Sequence, residues 1–203
     1  FSTDIDNPYF PLRPGTTNVY TGEKDGKSAY ETHFVTDQTE LIIGVSTRVV
    51  LDRLYLDGYL AEDTQDWYTQ DSLGNVWYFG EDTRTLDRFG HVLSREGSFR
   101  AGVDGALPGI FMPAHPRVGQ TFQQEFYPGQ AEDRAVVLSL DATVTVPAGT
   151  FRNTLQTREW TPLEPGVRSD KNFAVGIGTV KEIDVVGGDE HLELLVVLHE
   201  QLN

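Results

Sequence analysis

The stretch Glu62-Asp63-Thr64-Gln65-Asp66-Trp67-Tyr68-Thr69-Gln70, then Asp71-Ser72-Leu73-Gly74-Asn75, then Val76-Trp77-Tyr78-Phe79-Gly80-Glu81-Asp82-Thr83-Arg84 reads as a β-hairpin. Aromatic and β-branched residues alternate with polar ones on both sides of a turn rich in Asp, Ser, Gly and Asn, the pattern of two half-buried strands. A three-residue loop with Gly74 left-handed pairs Asp71 with Asn75 and sets the register. Trp67 then faces Phe79, Tyr68 faces Tyr78, and Thr69 faces Trp77. Successive side chains of a strand point to opposite sides. Trp67, Trp77 and Phe79 therefore share one face, and Asp66, Tyr68, Tyr78 and Asp82 share the other, with Glu62 extending the second line.

Working outward, further strands are expected at 17–21, 29–36, 41–56, 59–70, 92–100, 121–127, 135–146, 151–160, 174–186 and 191–200. Turn residues separate them, as at Pro128-Gly129, Pro147-Ala148-Gly149, Glu164-Pro165-Gly166 and Gly187-Gly188-Asp189. The run 41–56 is long and β-branched, and Gly44 is read as a bulge that bends it. No apolar period of 3.6 residues persists over a helical length, which leaves room only for a minor helix of one or two turns. The expected fold is all-β, a large curved antiparallel sheet that is half-barrel or barrel-like, in one domain over 1–203. Residues 1–16, with prolines at 8, 11 and 14, form an extended lead-in lying against it. Residues 101–119 hold four glycines and three prolines with neither period, and are expected to be a long loop, a candidate lid. The hairpin motif occurs once, so a propeller built from repeated blades is set aside.

Composition narrows the function. Thirty-one acidic residues against 16 basic ones give a formal charge of -15 over 203 residues, with no acidic tail. Such a potential repels phosphate backbones, so no nucleic acid partner is expected. Aromatic residues at 11% mark a chain that folds around a core. There is no cysteine, which removes disulfides, thiolate nucleophiles and zinc-thiolate sites. No run approaches the ~18 apolar residues of a helical membrane span, so the chain is not expected to span a membrane by a helix. It begins at Phe1 without Met, consistent with a signal or anchor segment removed upstream, and a periplasmic or extracellular location is expected. Nothing in the sequence indicates an oligomeric state.

The Asp/Tyr face of the hairpin is either a solvent face over a tryptophan core, or the wall of a concavity. In the second case stacked rings and carboxylates grip a polyol, a sugar or a cation. Glu62, Asp66, Tyr68, Tyr78 and Asp82 are the candidate ligand-binding residues of the hairpin, joined by Phe111, Met112 and His115 from the proline-rich segment as a pocket cover. For catalysis the candidates are Asp66 or Asp82 as base and Tyr68, Tyr78 or His115 as acid. No metal and no cofactor is indicated. His33, His91, His115, His191 and His199 show no paired-ligand spacing, no calcium loop occurs, and nucleophile elbows and phosphate-binding glycine loops are absent.

Several segments together resemble a group of uncharacterised bacterial exported proteins and lipoproteins. They are Asn7-Pro8-Tyr9-Phe10-Pro11-Leu12, the Glu62-Asp63-Thr64-x-Asp66-Trp67-Tyr68 hairpin, Ala101-Gly102-Val103-Asp104-Gly105-Ala106, and Val146-Pro147-Ala148-Gly149-Thr150-Phe151. The resemblance implies an envelope location and a twisted antiparallel sheet with a concave side. It supplies no catalytic residues. Where related chains have Ala-Pro-Gly-Val-Gly, this one has Ala174-Val175-Gly176-Ile177-Gly178. The function expected is that of an exported domain binding a small or extended ligand, such as a small molecule or glycan, or an envelope partner, in the concave side of a β-sheet. The alternatives are a lyase or glycan hydrolase on the same scaffold, and a structural surface or matrix protein.

Overall fold

The computed structural model describes residues 1–200. It contains fifteen strands: β1 (Thr16–Lys24), β2 (Lys27–Ile42), β3 (Val45–Leu56), β4 (Tyr59–Gln70), β5 (Val76–Leu86), β6 (Val92–Ser94), β7 (Phe99–Arg100), β8 (Leu107–Met112), β9 (Thr121–Gln123), β10 (Glu125–Phe126), β11 (Arg134–Val146), β12 (Gly149–Trp160), β13 (Arg168–Ala174), β14 (Gly178–Val186) and β15 (His191–His199). Among the described residues there is no helix, so the minor helix left open by the sequence does not form. No helix is long and apolar enough to cross a membrane.

Neighbouring strands run antiparallel in the order β5-β4-β3-β2-β1-β15-β14-β13-β12-β11. Two meanders are thus joined where the first strand pairs with the last. An open sheet of this size would leave two long edges of unpaired amides. The edge of β5 is covered in turn by β6, β7 and β8, and that of β11 by β9. The segment 121–126 then changes partners: β9 pairs with β11 while β10 pairs with β8. The sheet is nearly closed into a barrel, with one seam at Gln124, whose side chain is buried.

Three local features differ from the sequence-based expectation. β2 and β3 are separate strands joined at Ile43-Gly44, both with positive φ, 43° and 82°. That is the two-residue turn whose twist matches its flanking strands. An isoleucine seldom takes a left-handed conformation, so the run 41–56 reads as one bent strand with a bulge at Gly44. Second, Val175-Gly176-Ile177 is a turn, not strand interior, and residues 168–174 form β13, paired along its length with β14 and over 169–173 with β12. Third, residues 101–119 are not an open loop throughout. β8 pairs Met112 with Val76, Ile110 with Trp77 and Gly109 with Tyr78. Its Pro108 and Gly109 disguise it, and a short strand at a sheet edge tolerates both.

The hairpin that opened the sequence reading forms with a turn in which Asp71 N–H donates to Asn75 O at 3.0 Å. Asp71 Oδ1 also accepts from the Leu73 and Asn75 amides, and its Oδ2 from Trp77 Nε1 at 2.9 Å. Tyr68 pairs with Tyr78 and Thr69 with Trp77 as expected. Beyond that the register slips by one: Asp66 pairs with Glu81, and Trp67 lies against a bulge at Phe79-Gly80. Gly80 sits at φ 127°, and a Cβ there would meet Phe99 O at 2.1 Å, so only glycine lets β7 approach. The slip turns Glu81 to the Asp66 side and Asp82 to the opposite one.

Both faces of the hairpin are buried. Trp67 and Phe79 join Ile42, Val49 and Ala101 in a cluster outside the barrel, covered by Phe1 and by the Arg100 guanidinium 5.1 Å over the Trp67 ring. The other face lines the barrel interior. There Tyr68 and Tyr78 belong to an apolar cluster with Phe10, Phe99 and Met112, while a second cluster holds Tyr20, Leu54, Leu56, Leu192 and Leu194. The lead-in 1–16 contributes Ile5, Phe10 and Leu12 to the first cluster. It is tied down by Asn7, whose Nδ2 donates to Gly74 O and Pro113 O.

Candidate functional site

Between the two apolar clusters the interior is charged. Along β2 the inward residues are Ala29, Glu31, His33 and Val35, and along β3 Leu54, Asp52 and Val50. The apolar members at either end belong to different clusters and the ionisable ones lie between. On β4 Glu62, Thr64 and Asp66 lead to Tyr68, and on β5 Glu81 leads to Tyr78 across the bulge. The opposite wall adds Glu125, Asp133, Glu159, Lys171 and Glu182, and Lys24 and Glu190 close one side. These groups surround a cavity of about 250 Å³. Ten carboxyl groups face it, against two lysines and one histidine.

Some of this charge is internally compensated. Lys171 Nζ lies 3.2 Å from both Glu159 and Glu182, Lys24 lies 2.9 Å from Glu190, and His33 Nε2 lies 2.5 Å from Asp52. Glu31 is 3.9 Å from the same His33 nitrogen. Burial opposes the imidazolium, but Asp52 and then Glu31 overcome it and lift His33 to about 10. That leaves Glu62, Asp66, Glu81, Glu125 and Asp133 with no basic side chain within 4.0 Å among the described residues.

Taking a lone carboxylate out of water favours its neutral form. Burial, and after it the charge of Asp52, pushes Asp66 up to about 7. Burial and then Asp66 raise Glu81 well above the ordinary carboxylate range, and burial and then Asp133 do the same for Glu125. Glu62 and Asp133 are raised too, chiefly by burial.

Tyr78 stands between two of these carboxyls. Its hydroxyl lies 2.5 Å from Asp66 Oδ1 and 2.8 Å from Glu81 Oε2. A phenol has one proton to donate. Both contacts are hydrogen bonds at once when one of the two carboxyls carries a proton and donates to the Tyr78 oxygen, in keeping with the upward direction of both groups. At the same end the Tyr68 and Tyr78 rings stack at 4.7 Å, and the edge of Phe111 stands 5.3 Å from Tyr68. Phe10 closes the group at 5.3 Å from Tyr68.

Of the residues singled out in the sequence, Glu62, Asp66, Tyr68, Tyr78 and Phe111 line this cavity together. Met112 lies wholly buried in the adjoining apolar cluster. Asp82 does not join them. The bulge turns it outward, where it pairs with Arg95 at 2.5 Å. His115 is exposed and lines a separate surface depression with Leu73, Asn75 and Pro113. Sequence reasoning did not place Glu81, Glu31, His33 and Asp52 in the site, nor the opposite wall of Glu125, Asp133, Glu159, Lys171 and Glu182. The alternation Glu31-x-His33 was a usable signal, since both point to one side of a strand.

Neither a family model nor a curated protein matches the sequence. Among solved structures the fold is similar to that of a Bacteroides fragilis protein with a YmcC-like fold, described as exported. The two share 14% identity with a TM-score of 0.53, covering 94% of this chain and 98% of that one. A lipoprotein so described from Parabacteroides distasonis gives 12% identity and a TM-score of 0.48 over 94% and 98% of the two chains. The likeness to the Bacteroides fragilis protein shows a shared fold over almost the whole of both chains.

Proposed function

We propose that this chain is an exported binding domain whose barrel interior takes a small organic cation. The observation that carries it is the set of five inward carboxyls without a basic partner, sharing a cavity of about 250 Å³ with Tyr68, Tyr78 and Phe111. An amine satisfies those carboxyls by charge-assisted hydrogen bonds, and its carbon skeleton packs on the rings. A neutral sugar supplies donors but no charge, so it leaves the electrostatic cost in place. The description of the Bacteroides fragilis neighbour as exported, and the resemblance of several segments to bacterial exported proteins, support the location.

The test is calorimetry and thermal shift with 1,4-diaminobutane against 1,4-butanediol, which matches it in length. The diamine is expected to bind and raise the melting temperature, with salt weakening the effect. The diol is expected to do neither. Equal responses to both, or to neither, would defeat the proposal.

A second reading is favoured by one observation. Tyr78, Asp66 and Glu81 form a proton-sharing group at the cavity wall, and a carboxyl at about 7 suits acid and base work near neutrality. A hydrolase or lyase would turn over its ligand, and Asp66→Asn would abolish turnover while leaving ligand bound.

A further inference from the structure

We propose that Glu31, His33 and Asp52 form a binding site for a first-row divalent metal ion, with the side-chain oxygen of Asn18 as a fourth contact. The site lies on the β1–β3 wall and stands whether or not the cavity also takes an organic cation. Asn18 pairs with His33 across β1 and β2, and His33 with Asp52 across β2 and β3. The three side chains form a row on the inner face. Glu31, two residues before His33, points the same way. One ligand atom from each of Glu31, His33 and Asp52 lies within 4.8 Å of the others. Nε2 is the imidazole nitrogen turned toward both carboxyls, and the Tyr20 ring stands edge-on to the imidazole at 5.2 Å.

An ion pair between His33 and Asp52 explains only part of this arrangement. It leaves Glu31 at 3.9 Å, beyond hydrogen-bond reach. It also leaves Asn18 unexplained. Asn18 Nδ2 donates to the Ile177 carbonyl at 3.2 Å, which determines the orientation of the amide. Its Oδ1 is then fully enclosed with no donor, in a recess that His33 and Asp66 also line. A buried carbonyl oxygen without a donor is costly, and a cation beside His33 would satisfy it.

The donor set selects the ion. One imidazole, two carboxylates and one amide oxygen, without sulfur, suit Mn²⁺, Co²⁺ or Zn²⁺. Calcium requires six to eight oxygens, and a thiophilic ion finds no ligand. Ligands ~2.1 Å from one ion stand about 3.4 Å apart in a tetrahedral arrangement. Asp52 therefore swings away from His33 and Glu31 swings in, a rotamer adjustment within the cavity.

Equilibrium dialysis against Mn²⁺ and Zn²⁺ with elemental analysis, and titration with Co²⁺ read by its visible absorption, test the site. One ion per chain is expected. His33→Gln and Glu31→Gln are each expected to weaken it on the order of 100-fold or more, as for loss of a direct ligand, and His33→Gln to shift the Co²⁺ bands. Asp133→Asn, on the far wall, is expected to weaken it far less. Thermal melts confirm folding. Should His33→Gln fail to fold, Glu31→Gln still decides, because Glu31 makes no close contact that the fold depends on. No saturable uptake, or uptake at unchanged affinity in Glu31→Gln, overturns the proposal. Metal uptake without diamine binding would sink the organic-cation reading and leave this one standing.

Discussion

Replacing Asp66 with asparagine is expected to stabilise the protein in alkaline solution and to leave it nearly unchanged in acid. Asp66 is 6% exposed, and among the described residues its side chain is hydrogen-bonded to Tyr78 Oη alone, a partner to which an asparagine amide can donate and from which its oxygen can accept. Its carboxyl rises from 3.8 to about 7 on folding, burial being the main cause and Asp52 the next. The folded state thus holds a proton that the unfolded state has released between pH ~4 and ~7. Where the native state binds more protons, stability falls as pH rises. The full cost is present above the folded pKa and absent below the unfolded one. At ~1.4 kcal/mol per pH unit the ceiling is ~4 kcal/mol. Since Glu81 shares the proton, part of the cost passes to it when Asp66 is neutral, and a gain of ~2–4 kcal/mol at pH 8 is expected.

In a chain of this size that corresponds to a rise in melting temperature of ~5–15 °C. Urea denaturation and calorimetry at pH 4.5 and pH 8 read it directly. The wild type should lose stability across this interval, and Asp66→Asn should lose less. His33, lifted to about 10, contributes with the same sign: its stabilisation is complete below pH ~6.5 and fades as pH rises through its folded value. A variant that gains equally at both pH values, or that is destabilised at pH 8, would refute the assignment of an uncompensated charge to this site.

Three further outcomes are expected. Gly80→Ala should cost about 3 kcal/mol or more and release the Ala101 amide, bonded to Phe79 O at 2.9 Å, from protection against hydrogen exchange, because the new Cβ meets Phe99 O at 2.1 Å; a loss below ~1 kcal/mol would show that the bulge is not needed. Glu81→Gln should weaken diamine binding while Asp82→Asn leaves it unchanged, and the latter should alter stability by less than ~1 kcal/mol, as its partner Arg95 is solvent-exposed; the reverse ranking would mean that the strand register is wrong. Lys171→Met leaves Glu159 and Glu182 without their cation and should cost ~3–5 kcal/mol at pH 8. That loss should shrink toward pH 5 as Glu182, held at about 7 by burial against Lys171, protonates.

The hairpin turn, the all-β class and the curved sheet were legible because each rests on local rules: alternation, turn chemistry and the missing helical period. The facing of Asp66, Tyr68 and Tyr78 followed from the turn alone. What lay beyond the bulge did not, because a single glycine before two acidic residues does not announce which of them will point inward. Ile43-Gly44 was hidden for the opposite reason, a turn whose first residue prefers a strand. The opposing wall was illegible altogether. Lys171, Glu159 and Glu182 come from three strands of the second meander, and only the pairing of β1 with β15 sets them across from β2 to β5.

The same pairing separates the acidic interior from the acidic surface. A chain of net charge -15 places most carboxyls in water at little cost. Here five of them face the interior cavity with no basic side chain within 4.0 Å among the described residues, and apolar clusters lie at both ends. On the reading proposed above, the compensation comes when a cation binds. A cation meets the carboxyls only after their protons leave, so raising the pH through about 7 should strengthen cation binding over the interval in which it weakens the free fold. A surface role for these residues predicts no such opposition. The two pH profiles, measured on one preparation with and without diamine, should therefore run in contrary directions.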